Sequence, residues 1–227
     1  MSVSAGPSVV TNGLILDLDA ANTKSYPGSG TVWLNLAGTS YNGTLTNSPA
    51  YSSNYGGCLT FDGTNYVVTG SLGSLPSQGS IEYWMYPTVV ENYRNPFATY
   101  YNGGNSGFRW EMQTGGLFYV VIGNDAASYN VYNYPNLVAN QWCQIVVTWN
   151  TATSTATGYL NGVQAFTTSS NTTWPTTIPN LSIGSGLSTG ADRQFKGNIS
   201  KGAVYSITLS AEQVQQNFNA IRGRYGI

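Results

Sequence analysis

Apolar and polar residues alternate in short runs along most of the chain, which is the pattern of β-strands with one face turned to a core. After the break at Gly13, the run LILDLD places Leu14, Leu16 and Leu18 on one side. The run IEYWMYP, which begins at Ile81, has large side chains on both sides and predicts a strand covered on both faces. Turn residues interrupt the runs about every 8 to 15 residues, a spacing typical of an all-β sandwich.

Two segments have the pattern of β-hairpins. Asn161-Gly162 lies between the runs TGYL and VQAF. An Asn-Gly pair is favoured in a type I′ turn because both central residues need a positive φ there. Thr114-Gly115-Gly116 lies between FRWEMQ and LFYVVIG. We interpret the Asn-Gly pair as a corner that sets strand register, not as a binding site.

Helical periodicity occurs near the end of the chain. Ser210, with Gln213 three residues later, matches a capping box. Val214, Phe218 and Ile221 form one apolar stripe at helical spacing. The sequence therefore predicts an all-β fold, a two-sheet antiparallel β-sandwich of the jelly-roll type with one short C-terminal helix.

The domain organisation follows from length and composition. A chain of 227 residues can form one domain with a sizeable core. We predict an N-terminal extension at 1–12, a β-sandwich domain at 13–222 and a C-terminal tail at 223–227. The start lacks the pattern of a secretory signal, and no apolar run approaches the ~18 residues of a membrane span, so we predict neither.

Composition argues against several classes of function. Charged residues make up 7% of the chain and the formal net charge is −1, so a nucleic-acid partner is not expected. The sequence contains no histidine, which removes Ser-His and Cys-His nucleophile pairs and the commonest metal ligand. The 17 tyrosines and 6 tryptophans then need a place in the core, on a binding face, or in both.

Cysteines and tryptophans in the strand-like runs are predicted to be largely buried. Cys58 and Cys143 are expected to be free, partly buried thiols, although one pair leaves a disulfide open. Trp84, Trp142 and Trp149 lie in strong strand runs and are expected to belong to the core.

The order of these runs resembles a known family. The succession is QWCQIVVTWN, TGYLNGVQ, LSIGSG and FKGNISKGAVYSITLSAEQVQQNF, preceded by GGCLTFDGTNYV and SIEYWMYP. It is similar to the concanavalin A-like lectin/glucanase sandwiches, and specifically to their laminin G-like branch. The resemblance covers about residues 13–221 and implies a concanavalin A-like sandwich.

The N-terminal part has a narrower resemblance. The segment TNGLILDLDAANTKSYPGSGTVWLNLAGTSYNGTLTNSPAY resembles the opening of laminin G-like domains common in tailed-phage virion proteins. This implies a non-enzymatic virion surface protein, assembled in the host cytoplasm, as a capsid decoration or a tail fibre or adhesin component. Its partners would be other virion proteins or a host-surface glycan, and a homo-oligomer is left open.

Two other functions stay open beside this one. The chain could be a carbohydrate-binding module or a glucanase-like glycoside hydrolase from a larger protein. It could also be a purely structural decoration that binds no sugar. Glucan-hydrolysing relatives place acid and nucleophile on one face about 5–5.5 Å apart. Here Glu82, Glu91 and Glu111 are isolated in the sequence, so we predict no enzyme, and a spatial pair of Glu82 and Glu111 would contradict this.

The resemblance raises the question of whether this protein binds calcium. Many relatives bind Ca²⁺ through oxygen ligands on a rim of the sandwich. Where relatives often have an Asp-Glu pair, this chain has Ser200-Lys201. Asp62 and Asp125 are candidate rim ligands, but Asp62 in FDGTNY is interpreted as a turn residue. We therefore identify no metal site and predict no other cofactor, and bound calcium is left open.

Glycan binding is a more specific hypothesis than metal binding. Sugars have flat C–H faces that stack on aromatic rings, and hydroxyls that bond to polar side chains. The loop-like segments ENYRNPFATYYNGGNSG and GNDAASYNVYNYPN combine both residue types. The alternative is ordinary strand surface, because tyrosine favours strands. The candidate glycan- or partner-binding residues are Tyr93, Arg94, Tyr100, Tyr101, Asn102, Asp125, Tyr129, Tyr132 and Tyr134.

Overall fold

The computed structural model describes residues 6–99, 107–123, 129–168, 173–186 and 193–227. Short strands follow one another along these residues, and a single α-helix comes near the end. The elements are β1 (Leu14–Asp19), β2 (Val32–Trp33), β3 (Gly43–Thr46), β4 (Ala50–Ser52), β5 (Cys58–Asp62), β6 (Tyr66–Val68), β7 (Gly73–Ser74), β8 (Gln78–Pro87), β9 (Phe97–Thr99), β10 (Gly107–Met112), β11 (Phe118–Gly123), β12 (Tyr129–Tyr134), β13 (Cys143–Asn150), β14 (Thr155–Leu160), β15 (Val163–Thr167), β16 (Thr177–Ile178), β17 (Leu181–Ile183), β18 (Lys196–Tyr205) and α1 (Ala211–Ile221).

The strands form two large sheets, which confirms the predicted two-sheet sandwich. The back sheet has the order β15-β14-β13-β8-β18-β5-β4, with β1 also paired to β18. The front sheet has the order β12-β11-β10-β9-β17-β6-β3-β2. All the named strand pairs are antiparallel. A two-stranded sheet of β7 and β16 lies apart from both.

Aromatic rings from both sheets fill the space between them. Tyr83 of the back sheet stacks on Phe97 of the front sheet, with ring centroids 4.9 Å apart and planes 3° apart. Trp110 of the front sheet meets Tyr83 edge-on at 5.3 Å. Such stacked and edge-on pairs add to the gain from burying apolar area. The core explains part of the aromatic content of the sequence.

The strand β8 is covered on both faces, as predicted. Ile81, Tyr83 and Met85 point into the core between the sheets. Because side chains alternate along a strand, Glu82 and Trp84 point to the other side of the back sheet. Both are fully buried, since the helix α1 covers that side.

The helix α1 begins where the sequence predicts. Ser210 is the N-cap, and it forms the capping box with Gln213. Val214, Phe218 and Ile221 are buried and pack against the outer side of the back sheet. The predicted apolar stripe is therefore confirmed, and the helix adds a third layer to the sandwich.

The segments beyond the helix and before the first strand also touch the back sheet. Val10 and Tyr225 are both buried there. The predicted domain limits, at residues 13 and 222, remain a prediction. Among the described residues, no helix combines the length and the apolar character required to span a bilayer.

The two cysteines are free thiols, as expected, and both are buried. Cys143 belongs to the core between the sheets, whereas Cys58 lies under the helix on the other side of the back sheet. Burial raises the pKa of Cys143 to about 12 and that of Cys58 to about 11. Both sulfurs therefore behave as small apolar groups at neutral pH.

The Asn-Gly corner has the predicted turn geometry. Asn161 and Gly162 have φ values of 53° and 77°, both in the left-handed region that a type I′ turn needs. Leu160 and Val163 pair across the hairpin. The side-chain oxygen of Asn161 also accepts a hydrogen bond from the backbone N–H of Gln144 at 2.8 Å. This bond ties the corner to β13.

Candidate functional site

The outer face of the front sheet carries a row of side chains in cross-strand register. Each strand contributes one residue to the row. The two residues at the centre of the row, Ala98 and Ser182, are buried. From edge to edge, the row runs through Val131, Val121, Arg109, Ala98, Ser182, Val68, Thr44 and Val32.

The strand β10, which pairs with β9 and β11, places two charged residues on this face. Phe108, Trp110 and Met112 are buried in the core. The alternate residues Arg109 and Glu111 therefore face outward. The run FRWEMQ thus combines a core-filling set with a charged set, and both follow from strand periodicity.

Glu111 is the centre of a polar cluster. Its Oε1 accepts hydrogen bonds from the Tyr119 hydroxyl and from Gln113 Nε2, the latter at 2.6 Å. Its Oε2 lies 2.9 Å from Arg193 Nη1 and 3.3 Å from Arg109 Nε. Glu111 is only 2% exposed because these partners cover it. We call these five residues the Glu111 cluster.

Burial shapes the ionisation of the cluster. Burial, together with the hydrogen bond and the charge of Glu111, raises the pKa of Tyr119 to about 12. The phenol therefore stays protonated at neutral pH and remains a hydrogen-bond donor. Burial lowers the pKa of Arg109, and the charge of Glu111 opposes this shift. The cluster holds its donors in fixed positions.

Tyr93 extends the cluster with an aromatic ring. The guanidinium carbon of Arg193 lies 5.0 Å from the ring centroid, a cation–π geometry. Tyr93 is 45% exposed and has a φ of 62°. The neighbouring Arg94 pairs instead with Glu91, with Nη2 and Oε2 2.7 Å apart, and donates to the Gln194 carbonyl.

The three predicted tyrosines of β12 divide between the two sides of the sheet. Tyr129 is 44% exposed on the edge strand. Tyr132 faces inward and stacks on Phe166, with centroids 5.3 Å apart. Tyr134 is 5% exposed and donates to the Val146 carbonyl at 2.9 Å. Tyr134 is thus a core residue, which corrects its predicted place on a binding surface.

The remaining predicted site residues cannot be placed on this face. Tyr100, Tyr101, Asn102 and Asp125 lie outside the described residues. The sequence pattern did not single out Arg109, Gln113, Tyr119 or Arg193, which the structure gathers around Glu111. Alternation in FRWEMQ indicates that Arg109 and Glu111 share a face, but no local pattern reveals the partners from other strands.

The spatial carboxylate pair that would indicate a hydrolase does not form. Glu82 lies between the back sheet and the helix, whereas Glu111 lies on the outer face of the front sheet, so the whole core separates them. Asp62 accepts hydrogen bonds from the backbone and the hydroxyl of Thr64, as a turn residue does. Within the described part of the chain, no group of three or more Asp, Glu, Cys or His could hold a metal ion.

Comparison with known proteins gives a family and a fold. A family model for the laminin G-like type of the concanavalin A-like lectin/glucanases superfamily matches residues 61–215. Among curated proteins, no sequence matches the chain. Eight solved structures with similar folds are 11–16% identical to the chain, and at this identity they show the fold alone.

Three of these structures illustrate the likeness. The binding domain of Paraclostridial Mosquitocidal Protein 1 has a TM-score of 0.71 at 13% identity, and the match covers 92% of this chain and 52% of that one. The botulinum neurotoxin serotype D binding domain has a TM-score of 0.67 at 14% identity, with coverages of 92% and 52%. The chain thus spans about half the length of these toxin domains.

The third structure matches over almost its whole length. It is domain 4 of AbnA, an extracellular GH43 arabinanase from Geobacillus stearothermophilus, in complex with arabinotriose. The TM-score is 0.66 at 16% identity, and the match covers 91% of this chain and 98% of that domain.

Proposed function

The chain belongs to the concanavalin A-like lectin/glucanase superfamily, and from this premise we propose that it is a non-enzymatic domain that binds a glycan on the outer face of its front sheet. The observation that carries the proposal is the Glu111 cluster with the adjoining ring of Tyr93. Hydrogen-bond donors held in place beside an exposed aromatic ring suit a sugar, which offers both hydroxyls and C–H faces.

Arg193 is the residue through which the cluster would contact a ligand. Its side chain is 27% exposed, whereas that of Glu111 is 3% exposed. An arginine has five N–H donors, and the bond to Glu111 accounts for one of them. The ion pair fixes the guanidinium over Tyr93, so binding a sugar hydroxyl would cost little side-chain entropy.

The same geometry supports binding without catalysis. A glycoside hydrolase needs a carboxyl group that can reach the glycosidic oxygen or the anomeric carbon. Both carboxylate oxygens of Glu111 are already occupied by donors, and its partners cover it. Glu82 is buried on the opposite side of the sandwich. Neither carboxylate can contact a sugar on the front sheet in this arrangement.

Replacement of Arg193 with alanine is expected to weaken glycan binding at least tenfold, because it removes a donor and the cation over Tyr93, together about 1.4 kcal/mol or more. A glycan array followed by titration of the best ligand measures this effect. Arg222→Ala is the matched control, since Arg222 also lies over an aromatic ring, 5.6 Å from the Phe218 centroid, but on the helix side.

Two outcomes would count against the front-sheet site. If the intact protein binds no glycan on the array, the glycan-binding function is wrong. If Arg193→Ala and Arg222→Ala weaken binding equally, the ligand does not bind at the Glu111 cluster. Tyr93→Asn gives a second check, because asparagine tolerates the positive φ at this position while it removes the ring.

The setting in which we place this function is the surface of a tailed-phage virion, as a capsid decoration or a tail fibre or adhesin component. The support is the resemblance of residues 11–51 to the opening of virion laminin G-like domains. In this setting the domain assembles with other virion proteins and displays its front sheet to host glycans.

Particles purified from a host that produces this protein are expected to contain it at a fixed copy number. Mass spectrometry of gradient-purified particles measures the copy number, and electron microscopy with an antibody to the domain locates it on capsid or tail. Purified particles that lack the chain would overturn the virion setting and leave the glycan-binding proposal to its own test.

A further inference from the structure

A pocket opens on the opposite side of the molecule from the Glu111 cluster. It has a volume of about 310 Å³ and lies where β8 ends, β13 begins and the β14–β15 hairpin turns. Four aromatic residues line it, and three carboxamide side chains complete most of the lining. We call it the aromatic pocket; its aromatic residues are Tyr55, Tyr86, Trp142 and Tyr225.

The rings form one connected group. Trp142 stacks on Tyr225 with centroids 4.3 Å apart and planes 27° apart. Tyr55 meets Trp142 edge-on at 5.3 Å, and Tyr86 lies 5.6 Å from Trp142. Trp142 and Tyr225 are 4% and 7% exposed, whereas Tyr55 is 40% exposed. The two buried rings therefore form a base, and Tyr55 stands at the open side.

Three tight turns build the rim. Tyr55, Asn140 and Asn161 line the pocket, and all three have a φ between 53° and 62°, in the left-handed region. Such a backbone costs a non-glycine residue about 1 kcal/mol or more, and it is often kept where a site needs it. The turn after Tyr55 is also fixed by Gly57, where a Cβ atom would lie 2.4 Å from the Ala20 carbonyl oxygen.

Polar groups accompany the rings. Asn140 and Gln141 are exposed, and Asn161 is half-buried. The side-chain oxygen of Asn161 accepts a hydrogen bond from the backbone N–H of Gln144. The N–H₂ group of Asn161 takes no part in that bond. The rim thus offers amide donors and acceptors next to aromatic faces.

The indole N–H of Trp142 adds an unexplained donor. It is buried, and in the described part of the chain it has no hydrogen-bond partner. A buried donor without a partner costs about 1–3 kcal/mol. Trp142 lines the aromatic pocket, so a ligand that packs against its ring would change the surroundings of this indole group.

We propose that the aromatic pocket is a second binding site, for a neutral monosaccharide or the terminal ring of a neutral oligosaccharide. Aromatic rings receive the C–H faces of the sugar, and the side-chain amides of the rim bind its hydroxyls. None of the side chains that line the pocket is charged, which favours a neutral ligand. The volume is at the small end of ligand pockets (~300–1,000 Å³), which suits one or two rings.

The second site is independent of the site on the front sheet. The two lie on opposite sides of the sandwich, so either can fail while the other holds. A domain with both sites would bind two glycan chains at the same time, one on each side of the sandwich.

Nuclear magnetic resonance of the ¹⁵N-labelled full chain tests the pocket, with methyl glycosides of glucose, galactose, mannose, xylose and arabinose as probes. A bound sugar is expected to move the indole N–H resonance of Trp142, because a sugar ring packed against the indole changes its surroundings. Trp142→Phe identifies this resonance among those of the 6 tryptophans by its disappearance. A merely structural tryptophan would not respond to saturating sugar.

Tyr55→Asn is expected to weaken sugar binding about tenfold, since it removes a stacking ring worth roughly 1.4 kcal/mol and keeps a residue that tolerates the left-handed backbone. Tyr93→Asn is the matched control, because Tyr93 is similarly exposed, at 45%, and has a similar φ of 62°. It should leave the Trp142 response unchanged.

The outcomes separate the two sites. A Trp142 response that Tyr55→Asn weakens and Tyr93→Asn does not supports the aromatic pocket. If no probe moves the Trp142 resonance at saturating concentration, the pocket proposal is wrong, whatever the glycan array shows. If Tyr93→Asn alone abolishes binding, the sugar binds at the front sheet only, which also overturns the pocket.

Discussion

Replacement of Asn217 with leucine is expected to lower the free energy of unfolding by about 4 kcal/mol, because one buried amide joins three parts of the structure. Asn217 is fully buried on α1. Its oxygen accepts from the Val10 backbone N–H at 2.8 Å, and its nitrogen donates to Glu82 Oε2 at 2.7 Å and to the Tyr205 hydroxyl at 3.0 Å. Leucine has a similar size but can satisfy none of these groups.

The buried carboxylate makes the expected loss large. Glu82 Oε1 has two donors, Trp84 Nε1 at 3.1 Å and Gln144 Nε2 at 2.9 Å. Oε2 receives its bond from Asn217. A buried neutral group that loses its partner costs ~1–3 kcal/mol, and a charged group costs more. Packing alone would predict a neutral or favourable effect, since leucine is more apolar than asparagine.

Urea denaturation of the variant measures the effect. A loss of 4 kcal/mol lowers the midpoint by roughly 1 to 2 M for an m-value of ~2–3 kcal/mol/M. Asn219→Leu is the matched control, because it makes the same change on the same helix at an exposed position and should alter stability by about 0.5 kcal/mol or less. Equal midpoints for the two variants would show that the buried network does not hold the helix.

The elements of this fold follow from local sequence signals. Alternation predicts which residues of β8 share a face, and the Asn-Gly pair predicts the hairpin corner because it needs only two residues with positive φ. The helix start follows from Ser210 and Gln213, which lie three residues apart. Each of these signals is contained within about one element, so no knowledge of distant neighbours is required.

The functional clusters depend on distant neighbours instead. Asn217 looks like one more polar residue on an amphipathic helix, yet its partners Glu82 and Val10 lie 135 and 207 residues away in the sequence. Its burial depends on where the helix docks, which periodicity alone does not fix. The aromatic pocket is likewise assembled from five separate segments of the chain.

Alternation also leaves one ambiguity that only the sheets resolve. Tyr132 and Tyr134 are two residues apart and therefore share a face of β12. The sequence does not say whether that face is the core or the solvent. The structure places it toward the core, where Phe166 of the back sheet contacts both rings. These two tyrosines, which the sequence predicts for a binding face, thus close the edge of the sandwich.

The protein is expected to lose stability steeply as the pH rises from about 10 to about 12, because several tyrosines are protonated more strongly in the folded state than in the unfolded chain. Burial raises the pKa of Tyr225 and of Tyr119 to about 12. Burial also raises the pKa of Tyr83, Tyr134 and Tyr205 above the ordinary value.

The direction of the effect follows from proton release. An unfolded tyrosine ionises near pH 10, whereas these phenols stay protonated in the folded protein to a higher pH. Unfolding therefore releases protons within this window, and rising pH favours the unfolded chain. Below about pH 10, these groups contribute their full stabilisation. Above about pH 10, each of these tyrosines lowers the free energy of unfolding by ~1.4 kcal/mol per pH unit. Together they should produce an abrupt alkaline transition.

Urea denaturation at stepped pH, with tyrosinate absorbance recorded alongside, measures the slope of stability against pH. Tyr225→Phe keeps the ring that stacks on Trp142 but removes the phenol that bonds to Ser200. It is expected to reduce the slope above pH 10 by ~1.4 kcal/mol per pH unit. Tyr129→Phe, at an exposed position, is the control and should retain the slope of the parent protein. Equal slopes in both variants, or no slope in the parent protein, would contradict the role of buried phenols, since desolvation is the cause on which the expectation depends.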